Sequence, residues 1–428
     1  MFIDSISISQ ENFEIMQPIM IVSRLFGLFP IKYSKHGAQY RLRWSLGYGI
    51  YSYLLCIILT TLTLLGVAND LNEDEMRSIR MKDKKNKYVT CCDMSIVMAI
   101  VVFSTVALPF KLKQFWKMLQ HLNVLDTIIP IKGQNRFRRA SVYFMASLFL
   151  LFFLILAFDN GVWAYGTLKN HTTTDFFKNY ISFYLLYCIL VMQEVFFWHI
   201  VFFIKIRISL LNKTLRSMED EKADMFHKKS FGQAYPMEIS LKSSNVKTVE
   251  YLKQDGGQKC AGANVIEQFN IAERVVSLIK FQEKVSAAVE SINSCLAYGI
   301  PLIMLSCLLH LIVTPYFLLT EIMKNGNAIF ITLQSFWLLI HIGRVLIIVE
   351  PCQLCLNEHL RTSVIVYELL TCRFEEEEKK ALTTFAMQLS YCRLKFTSGG
   401  FFKIDRSLLT SVAGAVTTYL VILFQFNN

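Results

Sequence analysis

Residues 407–426 read SLLTSVAGAVTTYLVILFQF: twenty positions, no charge, small and polar early, bulky and apolar late. About twenty apolar residues cross a bilayer as a helix, so this stretch is expected to span a membrane. It contains Gln425 among apolar neighbours, and an amide in hydrocarbon is costly unless it meets water or a partner. Ser411, Ala415, Thr418, Ile422 and Gln425 recur at spacings of three and four and share one helix face. That face suits water on one side, although small and hydroxyl residues also serve simply to pack helices together.

Six further blocks of this kind precede it, at roughly 45–68, 89–110, 141–164, 180–204, 288–321 and 329–350. The block at 288–321 is too long for a plain span and is expected to tilt or project beyond the bilayer. The 428 residues are 54% hydrophobic and only 18% charged, with mean hydropathy +0.40, which excludes an ordinary soluble domain. The net charge of +11 does not point to nucleic acid, because the cations lie in the loops between apolar blocks. The chain therefore reads as an all-α polytopic membrane protein with seven transmembrane helices, in a single domain over 1–428.

Assigning alternate segments by their Lys and Arg puts 35 of the 44 on one side. The positive-inside rule then makes the N-terminus cytosolic and the C-terminus extracellular. This is the inverse of a G-protein-coupled receptor. Residues 1–17 have neither a basic n-region nor an apolar core, so no cleaved signal peptide is expected. The sequon at Asn170 falls outside and is a glycosylation candidate, whereas the sequon at Asn212 falls inside.

The long cytosolic loop, 205–287, has a polar middle at about 219–262 that is expected to be disordered, between helical ends. Residues 351–406 form a second cytosolic region, expected to act as an anchor. Its run FEEEEKK (374–380) suits a solvated helix face, or an acidic lining beside a cation path. Cys352 and Cys355 have C-x-x-C spacing without a second pair, a weak signal for a metal. No nucleotide, zinc-protease or nucleophile-elbow motif occurs, so no enzyme activity, cofactor or metal is expected.

The end of the chain carries something more specific. Thr418-Tyr419, five apolar residues and Gln425-Phe426 resemble the signature that closes insect gustatory receptors. SCLLHL (306–311), TPYFLLTEI (314–322), RVLIIVEPC (344–352), CDMSIVMAI (92–100) and FDNGVW (158–163) are similar to the fructose-receptor branch of that family. The resemblance is dense over the last 130 or so residues, patchy before them, and absent from the 219–262 stretch. It implies a homotetramer in the plasma membrane, acting as a ligand-gated, non-selective cation channel. The seventh helix (407–426) of each subunit would line a central pore, with Thr418, Ile422, Gln425 and Phe426 at the gate. Rings of Ile422 and Phe426 would gate by dewetting. The implied partners are a small-molecule sugar, fructose first, permeant cations, the lipid bilayer and further copies of the chain. Another sugar, a bitter compound and a secondary transporter remain as alternatives.

Depths estimated from helix rise place polar and aromatic residues of several spans in one outer layer, about 6 to 18 Å in. These are Asp93, Asp159, Trp163, Tyr184, Tyr187, His310, Thr314, Gln334, Trp337 and His341. A sugar needs this mixture, since carboxylates and amides satisfy hydroxyls and an aromatic face covers C–H patches. Trp163 and Tyr184 also fit an interfacial belt, and the two histidines also fit plain packing. Gln193 and Glu194 lie deeper, as a pocket floor or, preferably, as structural partners of Arg344. Pro315 removes a helical hydrogen bond beside Thr314 and marks a hinge.

Overall fold

The computed structural model describes residues 5–73, 78, 80–81, 84–131, 134–167, 173–232, 271–297, 299–323 and 326–425. Strand β1 (Ser5–Ser9) leads into helix α1 (Gln10–Leu25), capped by Ser9, whose hydroxyl accepts from the Asn12 amide. A hairpin follows, β2 (Ile31–His36) and β3 (Gln39–Trp44), turned at Gly37 with φ 63°. The antiparallel sheet has the order β1-β3-β2. Strand alternation turns Ile6, Ile8, Ile31 and Leu42 into the core, while Phe13 of α1 stacks on Tyr40 at 3.8 Å.

Helices then follow in order: α2 (Leu46–Asn72), α3 (Lys84–Val106), α4 (Leu108–Ile128), α5 (Gln134–Thr167), α6 (Thr173–Gly232), α7 (Ile271–Cys295), α8 (Gly299–Met323), α9 (Ala328–Thr371) and α10 (Glu376–Tyr391). The two-residue strands β4 (Thr397–Ser398) and β5 (Phe402–Lys403) precede α11 (Arg406–Gln425). Among the described residues seven helices are long and apolar enough to cross a membrane: α2, α3, α5, α6, α8, α9 and α11. Each overlaps one of the seven apolar blocks, though α6 and α9 run well past theirs. The chain is thus a multi-pass membrane protein whose spans are all helical, with the small sheets outside them.

Two blocks end differently from expectation. The block at 89–110 breaks at Ala107, because Pro109 stands in the first turn of α4, where a missing N–H costs nothing. The block at 288–321 is not one long span. It divides into α7 and α8, with Pro301 in the first turn of α8. A continuous helix would have required the Pro301 amide and driven its ring against the Ala297 carbonyl. That carbonyl instead accepts from Ser398 Oγ at 3.5 Å.

Helix α6 is the centre of the bundle and packs against α2, α3, α5, α7 and α9. The buried face of α2 is Ser52, Cys56, Leu59, Thr63, Gly66 and Asp70, spaced by three and four. A Cβ on Gly66 would lie 2.0 Å from the Asn179 carbonyl oxygen, so glycine is what lets α2 and α6 approach. Contrary to the expected disorder from 219, α6 stays helical to Gly232. Ion pairs hold its first residues past 219: Glu221 with Arg274 of α7 at 2.7 Å, and Lys222 with Glu378 of α10 at 2.8 Å. The rest of the 219–262 stretch lies outside the described residues.

The acidic run forms the start of α10. Glu378 is buried and its side chain accepts from the Glu375 amide in a capping box, while Glu376 and Glu377 are exposed. Asn212 sits inside α6, donating to Glu358, and is buried away from any glycan. Cys352 and Cys355 are free and buried in the core. Helix α11 is held to α9 by Arg406, which donates to Glu350 at 2.8 and 3.0 Å. It packs inward through Leu408, Val412 and Val416, yet none of its residues is buried.

Candidate functional site

At the end of the bundle remote from the N-terminal sheet, five helices surround a cavity of about 490 Å³. Helical spacing aims their side chains into it: Asp93 from α3, Asp159 and Trp163 from α5, Tyr184 and Tyr187 from α6, His310 and Thr314 from α8, and Gln334, Trp337 and His341 from α9. All ten polar and aromatic residues singled out in the sequence line this one cavity. Arg80, from the connection between α2 and α3, lines it too, and nothing in the sequence marked it.

Asp159 organises the mouth. Its Oδ2 accepts from Arg80 Nη2 at 3.1 Å and from the Tyr184 hydroxyl, and its Oδ1 accepts from Trp337 Nε1 at 3.1 Å. The Arg80 guanidinium also lies over the rings of Trp163 and Tyr180, each at 4.8 Å from the centroid. Tyr180 in turn donates to Asp70 at the end of α2, which also accepts from the Arg80 amide. One arginine therefore ties a loop to three spans.

Deeper in, the rings of His310 and His341 stack at 4.4 Å, with Trp337 stacked beyond His341 at 5.7 Å. Tyr187 meets the Trp337 ring edge-on at 5.5 Å. His310 spans two helices, with Nε2 at 2.5 Å from Asp93 Oδ1 and Nδ1 at 2.5 Å from the Ser306 carbonyl. The floor is a buried ion pair. Arg344 donates to Glu194 at 2.9 Å and to the Tyr187 hydroxyl at 2.9 Å, which settles Glu194 as a structural partner. Gln193 turns away and accepts from Ser104.

The ionisable side chains of this cavity are thus bonded to one another, Arg80 to Asp159, Arg344 to Glu194 and His310 to Asp93. Unspent among the described residues are the neutral Gln334 amide and Thr314 hydroxyl, together with free lone pairs on the Asp93 and Asp159 carboxylates. The aromatic faces supply flat apolar walls. A group of three or more His, Cys, Asp or Glu suited to a metal ion is absent among the described residues.

A second cavity, of about 50 Å³, lies toward the opposite end, between α4, α6, α7 and α8. Burial pulls the Lys111 ammonium there down to about 8, against the opposing pull of Cys295, whose own thiol burial pushes up to about 11.

On α11, Ser411, Thr418, Ile422 and Gln425 are exposed, and Ala415 is half-buried. The Ser411 and Thr418 hydroxyls bond back to carbonyls one turn earlier, so neither needs a packing partner. Phe426 and the glycosylation candidate Asn170 lie outside the described residues.

The class of protein follows. The chain belongs to the 7tm chemosensory receptor family, whose sequence profile matches residues 16–427. Among individual proteins, it is 27% identical over 429 residues to the gustatory receptor for sugar taste 43a of Drosophila melanogaster, covering 97% of this chain and 99% of that one. It is 28% identical over 164 residues to the putative gustatory receptor 28b of the same fly, covering 37% of this chain and 35% of that one. The fold matches the insect olfactory receptor OR5 of Machilis hrabei with a TM-score of 0.63 at 12% identity, over 96% of this chain and 97% of the other. The eugenol complex of OR5 matches with a TM-score of 0.56.

Proposed function

We propose that this chain is the subunit of a sugar-gated, non-selective cation channel of the plasma membrane, tuned to fructose. Four copies surround a central pore lined by α11, with the N-terminus in the cytosol. The observation that carries the reading is the cavity: charges satisfied internally, neutral donors and acceptors unspent, and aromatic faces alongside. A polyhydroxylated neutral ligand matches that set. The similarity to a fly receptor named for sugar taste supports it.

Each hydroxyl exchanges bonds to water for bonds to protein, so the net gain per contact is small. Affinity near millimolar, about −4 kcal/mol, follows. Binding opens the pore only to the extent that it favours the open state. Helix α8 connects the two sites. Thr314 faces the cavity, Pro315 leaves the Leu311 carbonyl without its helical partner, and Tyr316 packs on Phe424 of α11 at 5.6 Å. Movement of α8 about Pro315 thereby reaches the end of α11 that carries Ile422 and Gln425.

The test is whole-cell current from this chain alone, in cells without taste signalling, across a sugar panel. Fructose should evoke a cation current. Gln334→Ala should raise the half-maximal concentration by roughly tenfold, the worth of one good hydrogen bond. Silence to every sugar with the protein at the surface overturns the reading. A current evoked by a bitter compound instead keeps the channel and overturns the sugar.

A further inference from the structure

The N-terminal sheet carries a charge pattern that its own packing does not use. In the β2–β3 register Lys32 stands opposite Arg43 and Ser34 opposite Arg41. In the β1–β3 register Ser5 stands opposite Arg43 and Ser7 opposite Arg41. Alternation puts all six side chains on the face turned away from α1. Like charges directly across an antiparallel pair repel and destabilise it. Lys32 and Arg43 are nevertheless paired, and both are exposed. Among the described residues, no carboxylate forms an ion pair with Lys32, Arg41 or Arg43, and the Arg41 Nε donates to the Ser5 hydroxyl at 3.0 Å.

The position of this face is equally specific. Tyr48 lies in the first turn of α2, where the first membrane helix begins. Lys32 Nζ is 5.8 Å from the centroid of its ring, and Arg24 Cζ is 4.8 Å from the same ring. Trp44, the last residue of β3, lies against Gly49 of α2. Trp and Tyr at a helix entrance mark headgroup level. The basic face is therefore held at the membrane surface rather than out in solvent, within a Debye length of the lipid phosphates.

We propose that Lys32, Arg41 and Arg43, with the hydroxyls of Ser5, Ser7 and Ser34, form a binding site for the phosphorylated headgroup of an inner-leaflet inositol phospholipid. The side chains stand on a grid of roughly 5 by 7 Å, set by strand spacing and the two-residue repeat. Two arginine forks and an ammonium on that grid grip neighbouring phosphates of one ring, each by charge-assisted bonds, while the serines donate to the same oxygens. The bound anion relieves the Lys32–Arg43 repulsion. The sheet, clamped to α1 on its other face and to α2 at Trp44, thereby reports lipid composition to the first span. The inference rests on the cytosolic N-terminus proposed above, and not on the identity of the sugar.

The probe is fluorescent short-chain phosphatidylinositol bisphosphate, titrated into the detergent-solubilised full-length protein. Each cation near a lipid surface is worth about fivefold in affinity, so the triple variant Lys32→Gln/Arg41→Gln/Arg43→Gln should bind roughly a hundredfold more weakly. Without lipid, the same variant should unfold at a temperature no lower than the parent, since it removes a repulsion. Inositol trisphosphate should displace the probe and phosphatidylserine at matched charge should not. Equal binding by the triple variant overturns the site. Equal displacement by phosphatidylserine overturns the headgroup in favour of plain surface charge. A tag ahead of Ser5 that labels intact cells overturns the inner-leaflet placement, and does so independently of any current recording.

Discussion

Asp159 is a carboxylate inside a membrane helix, 3% exposed, and it persists because Arg80, Tyr184 and Trp337 all donate to it. The same bonds fix the orientation of the Trp337 ring, so Asp159 shapes the wall that a ligand would meet. Arg80→Gln leaves the buried carboxylate with one donor fewer and no cation beside it. Breaking such a pair costs about 3 kcal/mol, at the lower end of the buried range because the Arg80 side chain is 13% exposed. Arg80→Gln/Asp159→Asn should recover a large part of that loss, since no unpaired charge remains. Thermal unfolding of the three purified variants checks this, and additive losses would exclude the pair as the organiser of the mouth. The ten cavity residues were legible in sequence because each is polar or aromatic within an apolar block, where such a residue must find a cavity or a partner. Arg80 was not. It stands in RSIRMKDKKNK (77–87), where nothing separates it from its basic neighbours, and only tertiary structure brings it over Trp163.

At the scale of elements, hydropathy made all seven spans legible, since a membrane helix satisfies its backbone internally and needs only length and apolarity. The N-terminal sheet was not legible, because five-residue strands such as SISIS carry little signal beside blocks of twenty. The break between α7 and α8 was written in Pro301 but masked because Glu290 is the one charge between Ala288 and Pro301, so the apolar block runs across it. What hydropathy cannot give is which face of a helix meets which neighbour. For α2 the answer is the face of Ser52, Cys56, Thr63 and Gly66, closed by a contact in which Thr63 donates to Ser182 at 3.0 Å. Gly66→Ala adds one methyl where the Asn179 carbonyl already stands. The helices must separate, at a cost of about 1–3 kcal/mol, more if the Thr63–Ser182 bond is also lost. Gly161→Ala, where a Cβ meets nothing within 4 Å, should be near neutral. Unfolding temperatures of both variants measure the difference, and equal losses would show that the α2–α6 approach is not tight.

At the scale of the whole molecule, α11 is the element a single chain leaves unfinished. It is anchored at its start by Arg406 on Glu350 and touches α8 and α9 along one flank, yet no residue of it is buried. Its outward face mixes Ser411, Thr418 and Gln425 with Ile422, which is poorly suited to lipid, whereas the packed flank of Leu408, Val412 and Val416 is wholly apolar. Further copies of the chain around a shared axis would give the polar face water and the flanks protein, a closed symmetric arrangement. Native mass spectrometry of the full-length protein should then give a particle of four times 49.5 kDa. Within that particle, Thr418→Cys should be modified by a cationic thiol reagent when sugar is present, with loss of current, while Val416→Cys on the packed flank should be spared. A particle of one chain would exclude the shared axis. Equal block at both positions would mean that α11 is wetted all round, and that the pore is built from another face of the bundle.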